Sequence, residues 1–177
     1  INYLKKQRQM GPIPFVIVVE GYMDAISLHA VGITNVVASM GTAFAIEQAK
    51  LLRRTAEKVI FCYDSDKAGR VASMRAVSIA AKEGLQVRVA GVPDGKDPDE
   101  FVRQHGRDAF LQVLEQAPEG IDFLVAETIR QNNVTDFAGK AQVVSNIVPF
   151  LLECKNEMEA AEYIRKVAQR LTIDEAL

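Results

Sequence analysis

Several features that would place this sequence in familiar protein classes are missing from it. No apolar run approaches the ~20 residues that a membrane-spanning helix needs, and the longest, residues 15–19, has the length of one strand. The chain does not begin with the charged and apolar regions of a signal peptide. Neither the phosphate-binding pattern GxxxxGK[ST] nor the dinucleotide-binding pattern GxGxxG occurs. These absences argue against a membrane protein and against the common glycine-rich nucleotide-binding motifs.

Cysteine is scarce, and positive charge is not in excess. Cys62 and Cys154 lie far apart and form no CxxC pair, so we interpret both as structural residues of a protein in a reducing, cytoplasmic setting. The formal net charge is −2 at pH 7, whereas a self-sufficient DNA-binding module usually has a basic excess. The same charge suits an enzyme that holds metal ions through carboxylates, because bound cations reverse the sign of the local field.

Short apolar runs alternate with helical stretches in the first two thirds of the chain. The runs with strand character are residues 15–19, 35–38, 58–63 and 86–92. Such alternation predicts βαβ units and a Rossmann-like, mainly parallel sheet flanked by helices, hence an α/β fold. After about residue 107 the strands stop, and apolar residues recur at the spacing of three amphipathic helices.

This pattern predicts three parts. We expect residues 1–14 to be the end of a preceding helix and a linker, residues 15–117 to be the α/β domain, and residues 118–177 to be an α-helical subdomain. We interpret the helices as a structural bundle, with partner binding as the alternative. Because the first residue is Ile1 rather than Met, we expect the sequence to be a fragment of a longer protein.

The chemistry is expected where the strands end, because ligands of an open parallel sheet bind beyond the carboxyl ends of its strands. Three strand ends carry acidic residues, which are Glu20, Asp24, Asp64, Asp66, Asp97 and Asp99. Asp66 could simply cap the next helix, and Asp24 could sit favourably in a first helical turn. Recurrence at three strand ends favours a common site, since independent capping would not require it.

So many carboxylates repel one another unless a cation is present. Oxygen ligands suit Mg²⁺, and several carboxylates in one cleft could hold two ions about 3.5–4 Å apart, as in polymerases and nucleases. Lys67 and Arg70 open the helix after the third strand, where cations oppose the helix dipole. We therefore expect both to face a phosphate, with a solvated charge as the alternative.

Three longer motifs resemble one family. The strings EGYMD at residues 20–24, YDSDKAGR at 63–70 and DGKDPDE at 94–100 resemble the Toprim domain of bacterial DNA primases of the DnaG type. The resemblance is strong over about residues 12–110. Residues 118–177 look similar to the helical subdomain that follows Toprim in the primase core, although no motif marks them.

The resemblance implies a DNA-directed RNA polymerase, a nucleotidyltransferase that makes short RNA primers on single-stranded DNA from ribonucleoside triphosphates. It implies Mg²⁺ as the cofactor, with Mn²⁺ as a possible substitute. By position in the motifs, it implies that the catalytic residues are Glu20, Asp24, Asp64, Asp66 and Lys67. In the same way, the implied metal ligands are Glu20, Asp64, Asp66, Asp97 and Asp99.

The family's zinc-binding, template-contacting and helicase-binding domains are expected to lie outside this segment. Zinc, the replicative helicase and the single-strand-binding protein would then meet only the full-length protein, in a cytoplasmic, nucleoid-associated bacterial replisome with no membrane contact. The isolated segment is expected to be weakly active or inactive.

Other readings remain open. A Toprim-type nuclease would cleave DNA rather than make RNA, and a non-catalytic scaffold would only bind replication partners. A haloacid-dehalogenase-type module carries its DxD after the first strand, whereas Asp64 and Asp66 follow the third. Topoisomerase relatives use a tyrosine nucleophile, but Tyr22 and Tyr63 lie beside or within strand ends, where we expect them to pack.

Overall fold

The computed structural model describes residues 4, 6, 8, 9, 11–40, 43–93, 97–152 and 157–173. The chain divides into two compact units, Ile1–Glu119 and Gly120–Leu177. The domain boundary expected from the sequence lies between residues 117 and 118, just before this division. Within the expected linker, residues 4, 6, 8 and 9 have helical backbone.

The described part of the first unit contains a four-stranded sheet. Its strands are β1 (Val16–Val19), β2 (Val36–Ala38), β3 (Lys58–Phe61) and β4 (Gln86–Val89). They lie in the order β2-β1-β3-β4, and every neighbouring pair is parallel. All residues of β1 are buried, as expected for an apolar strand covered on both faces. The predicted α/β fold with a parallel sheet is confirmed.

A helix follows each strand in the described chain: α1 (Tyr22–Ala30), α2 (Ile46–Arg53), α3 (Lys67–Lys82) and α4 (Pro98–Glu115). Gly32 and Gly84 follow α1 and α3 with φ of 83° and 79°, a left-handed conformation that ends a helix at low cost in glycine. α4 is interrupted at Gly106, whose φ and ψ are 79° and 179°.

Buried apolar side chains cover both faces of the sheet. One face packs against α1 and α4, through residues such as Ile17, Leu28 and Phe110. Cys62 is buried in the same cluster, as expected of a structural cysteine. Cys154 lies outside the described residues.

The second unit, where described, consists of three helices: α5 (Gly120–Gln131), α6 (Phe137–Leu151) and α7 (Glu157–Leu171). All three contact one another, and their buried side chains include Ile121, Val143 and Ile147. Asp122 on α5 lies 3.4 Å from Lys166 Nζ on α7. This is the helical subdomain that the sequence predicts. Within the described parts of both units, no helix has the length and apolar character needed to cross a membrane.

Gly69 allows α3 to begin against the ends of the two central strands. A Cβ atom at Gly69 would lie 2.1 Å from the backbone oxygen of Asp64 and 3.0 Å from Glu20 Oε1. The Gly69 N–H donates to Asp66 Oδ1 at 2.7 Å, so Asp66 caps the helix. Only glycine permits this close approach of helix and strand ends.

Substituting Gly69→Ala should therefore push α3 away from the strand ends. We expect the free energy of unfolding, measured by urea denaturation, to fall by about 1–3 kcal/mol. Gly91→Ala is the matched control, because a Cβ at Gly91 meets nothing within 4 Å. A Gly69→Ala protein as stable as the control would contradict the close packing.

Candidate functional site

A cleft of about 590 Å³ opens at the carboxyl edge of the sheet. Its lining residues are Glu20, Gly21, Tyr22, Met23, Asp24, Met40, Asp64, Asp97 and Asp99. The structure thus brings five of the six acidic residues singled out in the sequence into one cleft. The sixth, Asp66, lies near enough that its charge raises the pKa of Glu20 and of Asp64.

Glu20 and Asp64 meet at the ends of adjacent central strands. The backbone N–H of Asp64 donates to Glu20 Oε1 at 3.2 Å, and the N–H of Met40 donates to the Glu20 carbonyl at 3.1 Å. Burial first, and then the charges of Glu20 and the other carboxylates, raise the pKa of Asp64 to about 6. Burial also raises the pKa of Glu20, although the hydrogen bond from Asp64 opposes the shift.

Asp24 is the most buried of these carboxylates, with 7% of its surface exposed. Its Oδ2 accepts a hydrogen bond from the Gly21 N–H at 3.0 Å, and its Oδ1 accepts one from the Asp99 N–H at 3.3 Å. Burial raises the pKa of Asp24, and these two bonds oppose that shift. Both oxygens are engaged with backbone, so Asp24 joins the turn after β1 to the first turn of α4.

Asp97 and Asp99 reach the cleft from the start of α4. Asp97 Oδ1 accepts from the Glu100 N–H at 2.6 Å and caps the helix. Asp99 Oδ1 accepts a hydrogen bond from the Ser27 hydroxyl and lies 2.7 Å from Arg103 Nε. Neither of these contacts of Asp99 was predicted from the sequence. The spacing of Asp99 and Arg103 on a helix could have indicated their pairing, whereas Ser27 carries no such signal.

The two basic residues of α3 differ in their surroundings. Lys67 is exposed at the first position of α3. Arg70 is half-buried, and its Nη1 donates to the Ser65 carbonyl, so it supports the loop after β3. This contact was not predicted from the sequence, from which Arg70 was expected to face a phosphate. Asp94, Gly95 and Lys96 of the third motif lie outside the described residues.

The two tyrosines at strand ends also differ. Tyr63 is 4% exposed and packs edge-on against Phe61, with ring centroids 5.6 Å apart, as expected. Burial raises its pKa to about 12. Tyr22 is 58% exposed on the cleft, so the expectation that it packs is wrong.

The donor set of the cleft fits a hard divalent cation, because it consists of carboxylate oxygens. Across the residues that the structure describes, no group of three or more His, Cys, Asp or Glu residues is arranged to hold a metal ion. The side chains would therefore have to converge on the ion. Burial first, and neighbouring carboxylates second, raise the pKa values of Glu20, Asp24 and Asp64, and a bound cation would offset both effects.

Asp64→Asn should stabilise the metal-free protein at neutral pH. The pKa of Asp64 is higher in the folded protein, about 6, than its ordinary value of 3.8. Ionising this carboxylate therefore costs stability as pH rises from about 4 to 6, and Asn removes that cost. We expect a gain of about 1 kcal/mol in unfolding free energy at pH 7.5, reduced from the full shift by partial exposure, and none at pH 3.5.

Urea denaturation with a chelator present measures this difference. Asp108→Asn, at an exposed position of α4, is the control and should show no comparable gain. Equal stability of the parent and Asp64→Asn at pH 7.5 would refute the electrostatic account of the cleft.

Two family models match the two units. Residues 17–102 match a model described as Toprim-like, and residues 121–176 match one described as the DnaB-helicase binding domain of primase. The second match corrects the expectation that the family's helicase-binding domain lies wholly outside this segment.

Curated relatives with similar sequences are DNA primases. One from Clostridium acetobutylicum is 42% identical over 160 residues, which cover 90% of this chain and 27% of that protein. Another, from Escherichia coli K12, is 38% identical over 144 residues, covering 80% of this chain and 25% of that protein. The chain thus spans about a quarter of the length of the curated relatives it matches.

Solved structures agree with these matches. A DNA primase domain from Pseudomonas aeruginosa superposes with a TM-score of 0.85 at 29% identity, covering 98% of this chain and 55% of that one. A DnaG primase catalytic domain bound to single-stranded DNA gives 0.85 at 33% identity, covering 96% and 55%. Together with the acidic motifs at the strand ends, these matches show that the chain belongs to the DnaG-type DNA primases, of which it carries the Toprim domain and the helical unit that follows.

Proposed function

We propose that this chain is the metal-binding catalytic part of a DNA primase, which makes short RNA primers on single-stranded DNA during replication. The observation that carries the proposal is the cleft at the carboxyl edge of the parallel sheet, where five carboxylates from three strand ends line one space. A purely structural fold would gain nothing from concentrating negative charge there. We infer the reaction from the primase relatives and the location of the site from the carboxylates of this chain.

Each carboxylate has a distinct part in this proposal. Glu20 and Asp64 follow the ends of β1 and β3, where the Asp64 N–H donates to Glu20 Oε1, and we assign the oxygens of both side chains to the ions. Asp66 uses Oδ1 to cap α3, so we assign its Oδ2 to the ion. Asp97 and Asp99 would add oxygens from the start of α4. Two Mg²⁺ ions, or Mn²⁺ in their place, would activate the primer 3′-hydroxyl and stabilise the leaving pyrophosphate.

The residues around the cations suit a nucleotide. Lys67 is exposed at the start of α3, and helix starts attract phosphate through their N–H groups and dipole. Tyr22, Met23 and Met40 line the cleft with 58%, 45% and 62% of their surfaces exposed. An aromatic ring and two thioethers can contact the base and ribose of a ribonucleoside triphosphate while its phosphates lie at the carboxylates. This combination favours nucleotides as substrates.

Asp64→Asn in the natural full-length enzyme should lower primer synthesis by about 10²–10³-fold, because a charge that stabilises the transition state is lost. Synthesis is measured with ribonucleoside triphosphates and Mg²⁺ on a single-stranded template, and the mutant's circular dichroism should be unchanged. Asp108→Asn should remain near the parent rate. Near-normal synthesis by Asp64→Asn would refute the assignment, and metal-dependent nicking of DNA without synthesis would favour the Toprim-type nuclease.

We also propose that the Gly120–Leu177 unit contacts a DnaB-type replicative helicase. The support is the family match over residues 121–176. Phe137 and Leu152 remain 82% and 80% exposed at the two ends of α6, so this unit offers apolar side chains to a partner. The single-strand-binding protein remains a proposed partner of the full-length enzyme, which we place at the bacterial replisome.

Replacing Phe137 by Ser should weaken helicase binding about 10-fold or more, as loss of an apolar anchor does. Isothermal titration of purified full-length primase with the helicase measures the dissociation constant. Val71→Ser is the matched control, because Val71 is 53% exposed on α3 of the other unit. This assignment would be contradicted if both variants weakened helicase binding equally, or if neither weakened it.

A further inference from the structure

Asp99 is held differently from the other carboxylates of the cleft. Two donors engage the same oxygen, Oδ1: the hydroxyl of Ser27 on α1 and Nε of Arg103 on α4, the latter at 2.7 Å. The backbone N–H of Asp99 is bound in turn by Asp24 Oδ1 at 3.3 Å. Both the main chain and one side-chain oxygen of Asp99 are therefore fixed, and Oδ2 is the oxygen that no other described residue engages.

Of the two side-chain donors to Asp99, Ser27 is the more buried. It is 9% exposed, and a buried hydroxyl needs a hydrogen-bond partner. Arg103 has 62% of its side chain exposed, where solvent weakens an ion pair. Ser27 therefore donates to Asp99 Oδ1 from the protein interior, whereas Arg103 contacts the same oxygen from the solvent side.

We infer that Ser27 is a positioning residue of the metal site, which orients Asp99 so that its Oδ2 faces the cation. This inference rests on the proposed function. Donors that hold a metal-ligating carboxylate fix its orientation, and their removal typically weakens metal binding by 10- to 100-fold. Ser27 touches neither cation nor substrate and acts only through Asp99.

Ser27→Ala tests this without changing any charge. We expect the full-length enzyme to bind Mn²⁺ about 10-fold more weakly, measured by titration calorimetry without nucleotide. The Mg²⁺ concentration for half-maximal primer synthesis should rise similarly, while the rate at saturating Mg²⁺ stays near the parent value. A merely structural role would lower stability without this split.

Ser78→Ala is the matched control, because the Ser78 hydroxyl donates to the Met74 carbonyl within α3 at 3.2 Å. Ser78 does not line the cleft. It should leave Mn²⁺ affinity unchanged. Ser27→Cys, which keeps similar size with a weaker donor, should give an intermediate loss. It also provides the measurement if Ser27→Ala folds poorly.

A double-mutant cycle separates this inference from the proposed function. In an Asp99→Ala background, Ser27→Ala should cause no further loss of Mn²⁺ affinity, because the side-chain oxygen that accepts from Ser27 is gone. An additional loss there, or an unchanged affinity in Ser27→Ala alone, would overturn the inference. If Asp64→Asn binds Mn²⁺ more weakly while Asp99→Ala does not, Ser27 has no such role and the metal site stands. If neither variant weakens binding, the proposed metal site itself fails.

Discussion

The parallel pairing of β1 with β3 determines where the carboxylates meet. Its register places Val18 beside Phe61, so the two buried strands end at the same edge of the sheet. Glu20 and Asp64 follow these ends, and the N–H of Asp64 reaches Glu20 Oε1. Because Gly69 has no Cβ, α3 starts against this pair and brings Asp66 to it. The remaining acidic residues are added around this one contact.

Concentrated negative charge is the cost of this arrangement, and the fold offsets part of it with backbone N–H groups. Asp66 and Asp97 each accept one at a helix start, where the helix dipole also favours an anion, and Asp24 accepts two. From the sequence, capping and metal binding were alternatives for Asp66. The structure shows that a cap uses one oxygen of a carboxylate, so the same residue can do both.

The sequence was informative where function follows from local pattern. The apolar runs predicted the strands, and the strand-end rule predicted that Glu20 and Asp64 would lie together. The contacts of Asp99 with Asp24 and Ser27 join residues 75 and 72 positions apart through the packing of α1 on α4, which no local pattern encodes. The exposure of Tyr22 was missed for a related reason, because an aromatic residue after a buried strand gives no sign of which way it faces.

The charge balance of the chain also follows from this site. Five carboxylates line the cleft, and the whole chain has a formal charge of −2. Under the proposed function, a triphosphate approaching such a cleft would be repelled until cations compensate the carboxylates, since like charges at short range disfavour one another in a partly buried site. Cations held by these carboxylates would therefore make the cleft attractive to the proposed substrate, in addition to their part in the chemical step. An acidic segment is thus compatible with the proposed enzyme, whose substrates would all be anions.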